Sequence, residues 1–149
     1  MSTTKVALLG AGFIADIHIE SYHRFVPDAE VVAVYSRNAK RAEAFAKKHG
    51  IARSFADLDQ AITQSGCEVA DVCLPNFLHH RAVLAAAKAG RHVIIEKPLA
   101  LALEQADEMI ALNPRLSGSG KATAATVIGV VMLGLWVLGI LANAARLGR

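Results

Sequence analysis

A glycine-rich turn close to the N-terminus constrains the fold most strongly. The apolar residues Val6 to Leu9 predict a short buried strand, and helical spacing follows Gly12. A strand that passes through G-x-G-x-x-A into a helix is typical of the first turn of a dinucleotide-binding sheet. Gly10 would permit the tight turn, and Gly12 would let a pyrophosphate approach the backbone. Taken alone, the pattern also fits a strand-to-helix turn that uses glycine only for its geometry.

Composition limits the other possibilities. The chain has 149 residues, of which 54% are hydrophobic and 19% charged, so we expect one folded domain. All 13 acidic residues lie within residues 1–112, so the net charge of +3 comes from the C-terminal part and predicts no nucleic-acid partner. Cys67 and Cys73 are six positions apart and the histidines are scattered, so we expect reduced thiols, a cytoplasmic domain and no metal site.

Strand and helix patterns alternate along residues 1–112. This alternation predicts an α/β fold, a Rossmann-type doubly wound parallel sheet with strand order 3-2-1-4-5. Asn38 and Asp57 are expected to begin helices, and Gly50 to end one. The predicted strands cover residues 6–9, 31–35, 53–55, 69–74 and 92–95, and the predicted helices cover 14–26, 39–49, 58–64, 79–89 and 103–112.

Three loops should meet beyond the carboxyl ends of these strands, where such sheets bind ligands. They are the glycine turn, the segment after the fourth strand, and the segment after the fifth. The free N–H groups and positive end of the first helix, which starts near Gly12, would face the phosphates. The cofactor-binding residues predicted in these loops are Gly10, Gly12, Phe13, Ile14, Leu74, Pro75, Asn76, Glu96 and Lys97.

The end of the second predicted strand indicates which dinucleotide is bound. An NAD site usually has Asp or Glu there to hold the ribose 2′-hydroxyl, but this chain has Tyr35-Ser36-Arg37-Asn38. Ser36 could donate to a 2′-phosphate, and Arg37 and Arg41 could offset its charge. NADP is therefore favoured over NAD. The alternative is that both arginines belong to a solvated helix face.

Lys97 is the predicted catalytic residue. It follows the fifth strand between Glu96 and Pro98, where its amine could hydrogen-bond a substrate hydroxyl and help to move its proton during hydride transfer. The alternative is a surface lysine before a turn.

Three segments resemble the glucose-fructose oxidoreductase, inositol 2-dehydrogenase and MocA family of NAD(P)-dependent oxidoreductases. They are residues 10–15 (GAGFIA) with His18, residues 74–79 (LPNFLH), which resemble "TPN..H", and residues 90–99 (GRHVIIEKPL), which resemble "GKHV..EKPL". The resemblance covers residues 1 to about 112, the nucleotide-binding half of the family.

This resemblance implies hydride transfer between nicotinamide and a hydroxyl carbon of a sugar, cyclitol or related alcohol. Lys97 matches a lysine that touches nicotinamide ribose and substrate, before a peptide bond to Pro98 that is often cis. Asn76, His79 and Glu96 match positions in the cofactor pocket. Leu74 departs from the usual Thr or Ser. Family members continue into a second domain that supplies the substrate pocket and a catalytic histidine, so we expect this chain alone to be incomplete for turnover.

The C-terminal part has a different composition. Residues 113–121 resemble a linker, and residues 122–142 contain no charge, which predicts a transmembrane helix followed by a basic tail, 143–149. This helix would anchor a cytoplasmic domain to a membrane. Alternatively, residues 126–131 supply a sixth strand, or the junction is unnatural.

Three hypotheses for the function follow from the sequence. The first is an NAD(P)-binding domain of an oxidoreductase, truncated before its substrate domain. The second is a non-catalytic module that binds a dinucleotide or docks a partner. The third is an inert gene fragment.

Overall fold

Strands and helices alternate through residues 3–112, which are the residues that the structure, a computed structural model, describes. The strands are β1 (Thr4–Leu9), β2 (Ala29–Tyr35), β3 (Arg53–Phe55), β4 (Val69–Val72) and β5 (His92–Ile95). The helices are α1 (Phe13–Phe25), α2 (Ala39–His49), α3 (Leu58–Gln64), α4 (His79–Lys88) and α5 (Leu103–Ala111), with a 3₁₀ turn (Asn76–Leu78) directly before α4.

The strands form one parallel sheet in the order β3-β2-β1-β4-β5, which confirms the predicted topology. Leu9, at the end of β1, lies opposite Tyr35 on one side and Val72 on the other, and Val72 lies opposite Ile95. The carboxyl ends of four neighbouring strands are therefore level. For this reason, the loops that follow them meet at one edge of the sheet.

Both faces of the sheet are covered. Ala7 and Leu9 of β1 pack in a cluster with residues of α3 and α4, while Val6 and Leu8 pack in a second cluster with residues of α1 and α2. These four residues of β1 are at most 1% exposed. A central parallel strand is buried on both faces, which explains why its sequence is a continuous apolar run instead of an alternating one.

Side-chain caps and a left-handed glycine fix the helix ends that the sequence predicted. The Asn38 side chain accepts a hydrogen bond from the Arg41 N–H at 3.1 Å, and Asp57 accepts one from the Gln60 N–H at 2.8 Å. Gly50 ends α2 with a φ of 69°. Each cap satisfies a backbone group that a helix end leaves without a partner.

The predicted end of β4 was wrong by two residues. The sheet pairing stops at Val72, although the Cys73 N–H still donates to the Leu9 carbonyl at 2.9 Å. Pro75 has no N–H for a strand ladder, and the chain instead enters the 3₁₀ turn, in which Leu78 N–H bonds the Pro75 carbonyl. The apolar run of the sequence therefore continues beyond the strand.

Within residues 3–112, none of the helices is both long enough and apolar enough to cross a bilayer. The predicted linker (113–121), transmembrane helix (122–142) and basic tail (143–149) lie outside the described residues, as does the alternative sixth strand at 126–131. They stay predictions from the sequence.

Candidate functional site

An open cavity of about 420 Å³ lies at the carboxyl edge of the sheet. Its walls come from the turn after β1, the start of α2, and the loop after β4. The predicted cofactor-binding residues that line it are Gly10, Gly12, Phe13, Ile14, Ser36, Arg37, Arg41, Leu74 and Pro75, and it is also lined by Ala11, Asn38, Cys73 and Leu78. The predicted residues Asn76, His79, Glu96 and Lys97 are not part of this lining.

The two glycines of the first turn have different structural roles. Gly10 has a φ of +138°, and a Cβ built on it would lie 2.5 Å from the Cys73 carbonyl oxygen, so β1 can approach β4 here only with glycine. Gly12 precedes α1, and a Cβ built on it would meet nothing within 4 Å. The space beside Gly12 is thus open to a ligand at the N-terminus of a thirteen-residue helix.

The cavity wall between the end of β2 and the start of α2 is polar and basic. The Tyr35 carbonyl accepts a hydrogen bond from the Gly10 N–H at 3.0 Å, which ties the end of β2 to the glycine turn. Ser36 and the exposed side chains of Arg37 and Arg41 follow. Among the lining residues that the structure describes there is no carboxylate. This wall can therefore accept a dianionic group.

His79 is fully buried and joins two of the three loops. Its Nδ1 lies 2.9 Å from the Pro98 carbonyl and its Nε2 lies 2.8 Å from the Leu74 carbonyl. Both ring nitrogens thus face backbone oxygens. We conclude that the His79 side chain fixes the loop after β5 to the loop after β4. Asn76, in the exposed 3₁₀ turn, also lies outside the cavity lining.

The segment after β5 carries the predicted catalytic lysine. Lys97 is exposed, and its backbone N–H donates to Glu96 Oε2 at 3.2 Å. The Lys97–Pro98 peptide is cis, as the family resemblance implies. Glu96 turns its other oxygen toward α1, where Oε1 lies 3.1 Å from His18 Nε2. The carboxylate is therefore held by protein groups and does not reach into the cavity.

A polar network beside the cavity was missed by sequence reasoning. Asp71 of β4 is fully buried, and its Oδ2 lies 2.9 Å from both His18 Nδ1 and the Tyr22 hydroxyl. Cys73 Sγ lies 3.4 Å from His18 Nδ1. One signal could have indicated this network, because an aspartate inside an apolar strand needs buried partners.

The network shifts the pKa values of its members. Burial alone would lower the pKa of His18, but the hydrogen bonds and charges of Asp71 and Glu96 outweigh it and raise that pKa above its ordinary value. The hydrogen bond from His18 lowers the pKa of Glu96. Burial, and then the charge of Asp71, raise the pKa of Tyr22 and of the Cys73 thiol. The network therefore favours the protonated form of His18 and the neutral form of the Cys73 thiol.

Comparison with known families agrees with the fold and the cavity. Residues 4–118 match the sequence model of the GFO_IDH_MocA family, described as "Oxidoreductase family, NAD-binding Rossmann fold". Among curated proteins, D-glucoside 3-dehydrogenase of Escherichia coli is 40% identical over 108 residues, which are 72% of this chain and 31% of that protein. The scyllo-inositol 2-dehydrogenase (NADP(+)) IolU of Bacillus subtilis is 35% identical over 106 residues, which are 71% of this chain and 32% of that protein.

Solved structures give the same result. An NAD binding oxidoreductase from Klebsiella pneumoniae superposes with a TM-score of 0.72 at 32% identity, covering 77% of this chain and 32% of that one. Levoglucosan dehydrogenase, in complex with NADH and levoglucosan, superposes with a TM-score of 0.70 at 30% identity, covering 74% of this chain and 32% of that one. The chain therefore spans about a third of the length of these relatives.

Proposed function

Because this chain belongs to the GFO_IDH_MocA oxidoreductase family and contains its NAD-binding Rossmann domain, we propose that it binds NADP(H) in preference to NAD(H). The observation that carries the proposal is the wall of Ser36, Arg37 and Arg41 along the cavity, without an acidic residue among the described lining residues. An acidic side chain at this wall would favour the ribose hydroxyl of NAD and repel the 2′-phosphate of NADP.

Arginine suits this position because its planar guanidinium can donate two parallel hydrogen bonds to a phosphate. A hydrogen bond to a charged group contributes about 1.5 to 3 kcal/mol. Since about 1.4 kcal/mol is a factor of ten in affinity, loss of one arginine contact should weaken NADPH binding roughly ten- to a hundredfold. NADH lacks the phosphate and should lose much less.

The test is a titration of the full chain with NADPH and with NADH, followed by nucleotide fluorescence. Arg37→Ala should weaken NADPH binding roughly ten- to a hundredfold and NADH binding by less than about threefold. Lys47→Ala is the matched control, because Lys47 is an exposed cation on α2, the helix that follows Arg37, and does not line the cavity. Equal losses for both nucleotides would contradict the assignment, and so would an equal loss in the Lys47 variant.

We further propose that the bound nucleotide serves hydride transfer to or from a hydroxyl carbon of a sugar or cyclitol, with Lys97 as the catalytic residue. The relatives named above include a glucoside and an inositol dehydrogenase, which supports this substrate class. A proton must leave the hydroxyl as the hydride leaves its carbon. The Lys97 amine would hydrogen-bond that hydroxyl.

A second candidate function is a dinucleotide-binding module without turnover of its own. The observation that favours it is that Lys97 and Glu96 do not line the cavity, which is formed by the turn after β1, the start of α2 and the loop after β4. Reduction of NADP by the full chain in the presence of scyllo-inositol or a glucoside separates the two candidates. Saturable turnover supports the dehydrogenase, whereas nucleotide binding without turnover supports the module.

A further inference from the structure

Three potential metal ligands meet where α1 packs on the end of β4. His18 comes from α1, Asp71 from β4, and Cys73 from the first residue beyond that strand. His18 Nδ1 lies 2.9 Å from Asp71 Oδ2 and 3.4 Å from Cys73 Sγ, and Cys73 Sγ lies 3.7 Å from Asp71 Oδ1. Each residue offers one ligand atom, and these atoms all lie within 4.8 Å of one another.

These separations are close to those of a tetrahedral zinc site. Zn–S bonds of about 2.3 Å and Zn–N or Zn–O bonds of about 2.0 to 2.2 Å place neighbouring ligand atoms roughly 3.4 to 3.6 Å apart. The two distances to Cys73 Sγ, 3.4 and 3.7 Å, are already near this range. Asp71 faces Cys73 with Oδ1 and His18 with Oδ2, so its carboxylate would turn to present one oxygen to the ion. One ligand atom from each residue already lies within 4.8 Å of the other two.

The surrounding groups are those that orient zinc ligands. A metal-bound histidine usually donates its second ring N–H to a carboxylate, and here Glu96 Oε1 lies 3.1 Å from His18 Nε2. A metal-bound carboxylate is usually hydrogen-bonded as well, and the Tyr22 hydroxyl donates to Asp71 Oδ2 at 2.9 Å.

A neutral His18 cannot donate a hydrogen bond to both of its neighbours. Its two nitrogens face two carboxylates, and a neutral imidazole has only one N–H to donate. One carboxylate would then face a nitrogen lone pair. Either a second ring proton or a metal ion removes that repulsion, and the neighbouring sulfur of Cys73 favours a metal with affinity for both nitrogen and sulfur.

We propose that His18, Asp71 and Cys73 bind one Zn²⁺, with Glu96 and Tyr22 as outer hydrogen-bonding partners. The Cys73 S–H and His18 Nδ1–H bonds break and both protons pass to solvent. The thiolate and the neutral imidazole then each donate an electron pair to zinc without any change of oxidation state. The carboxylate and thiolate balance the two charges of the ion, and neutral His18 supplies the third bond. Water would fill the fourth position. The ion would tie α1 to β4 at the cavity wall to which Cys73 belongs.

The experiment uses the full chain after treatment with EDTA and removal of the chelator. Co²⁺ is added first, because a cobalt–thiolate bond produces a charge-transfer absorption that zinc lacks, and Zn²⁺ is then added in competition. We expect one Co²⁺ per chain with thiolate absorption, displaced by one Zn²⁺. Cys73→Ser should lose the absorption. Cys67→Ser is the matched control and should retain it, because Cys67 is a buried cysteine outside the cluster.

A variant at the exposed end of the network keeps the test valid if Cys73→Ser fails to fold. Glu96→Gln removes the carboxylate beside His18 but leaves the three ligands, so Zn²⁺ affinity should fall about ten- to a hundredfold. Circular dichroism of each variant checks its fold. Absence of cobalt–thiolate absorption in the unmodified chain would overturn the proposal, as would equal zinc affinity in the folded Glu96→Gln variant. Nucleotide titration of the EDTA-treated chain tests the proposed function separately.

Discussion

Gly10→Ala should lower mainly the stability of the fold and Gly12→Ala mainly the affinity for NADPH, although the two glycines are only two residues apart. At Gly10, a φ of +138° is strained for any residue with a Cβ, which costs about 1 to 3 kcal/mol. The new Cβ would also lie 2.5 Å from the Cys73 carbonyl oxygen. Cys73 cannot easily withdraw, because its N–H is bonded to Leu9 at 2.9 Å, and overpacking of this kind costs about 1 to 3 kcal/mol.

Gly10→Ala should therefore lower the free energy of unfolding by about 2 to 6 kcal/mol, a large part of the roughly 5 to 15 kcal/mol of a typical domain. Gly12 has a φ of −115° and open space around the added carbon. Gly12→Ala should cost about 1 kcal/mol or less, since alanine is only a poorer residue at a helix N-cap. Its methyl group would occupy space that the pyrophosphate needs, so NADPH affinity should fall at least about tenfold.

Urea unfolding followed by circular dichroism gives the two stabilities, and NADPH fluorescence titration gives the affinities. A Gly10→Ala variant as stable as the unmodified chain would refute the account of the turn. A Gly12→Ala variant that binds NADPH normally would show that the phosphates do not approach the backbone there.

Two further predictions concern the network and the lysine beside it. Because the pKa of His18 is raised above 6.5, its charge stabilises the fold below that pH, and this contribution is lost as the pH rises through the folded pKa. In EDTA, urea unfolding should show that the unmodified chain exceeds His18→Gln in free energy of unfolding by more at pH 6 than at pH 9. A difference independent of pH would contradict the ion-pair account. If the full chain oxidises a polyol, Lys97→Ala should lower kcat by about a hundredfold or more with the NADPH Kd nearly unchanged, and an unchanged kcat would remove Lys97 from the mechanism.

The sheet could be predicted because the patterns that specify its strands and turns lie within short segments of the sequence. Val6 to Leu9 form a continuous apolar run, which is typical of a parallel strand buried on both faces, and the glycine turn shows where β1 ends. With the strand order fixed by handedness, the three loops had to meet at one edge. Arg37 follows the end of β2 directly, and it lines a cavity at this edge.

Partners from distant segments could not be predicted in this way. His18 and Asp71 are 53 residues apart, and periodicity shows only that each faces inward, not that their polar atoms lie 2.9 Å apart. The expectation of no metal site rested on the positions of the cysteines and histidines in the sequence, which do not show which of these residues packing brings together. Similarly, the spacing of His79 after Pro75 did not show that its ring bonds two backbone carbonyls.

The two histidines together explain how Lys97 can be positioned without touching the nucleotide cavity. The residue before it, Glu96, is held through His18, and the carbonyl of the residue after it, Pro98, is held by His79. Both histidines are anchored in turn to β4 and the loop that follows it, at Asp71 and Leu74. The backbone on each side of Lys97 is thus fixed to the segment whose loop also forms the cavity wall. Replacing the lysine side chain leaves these contacts intact, which is why Lys97→Ala should remove the amine alone.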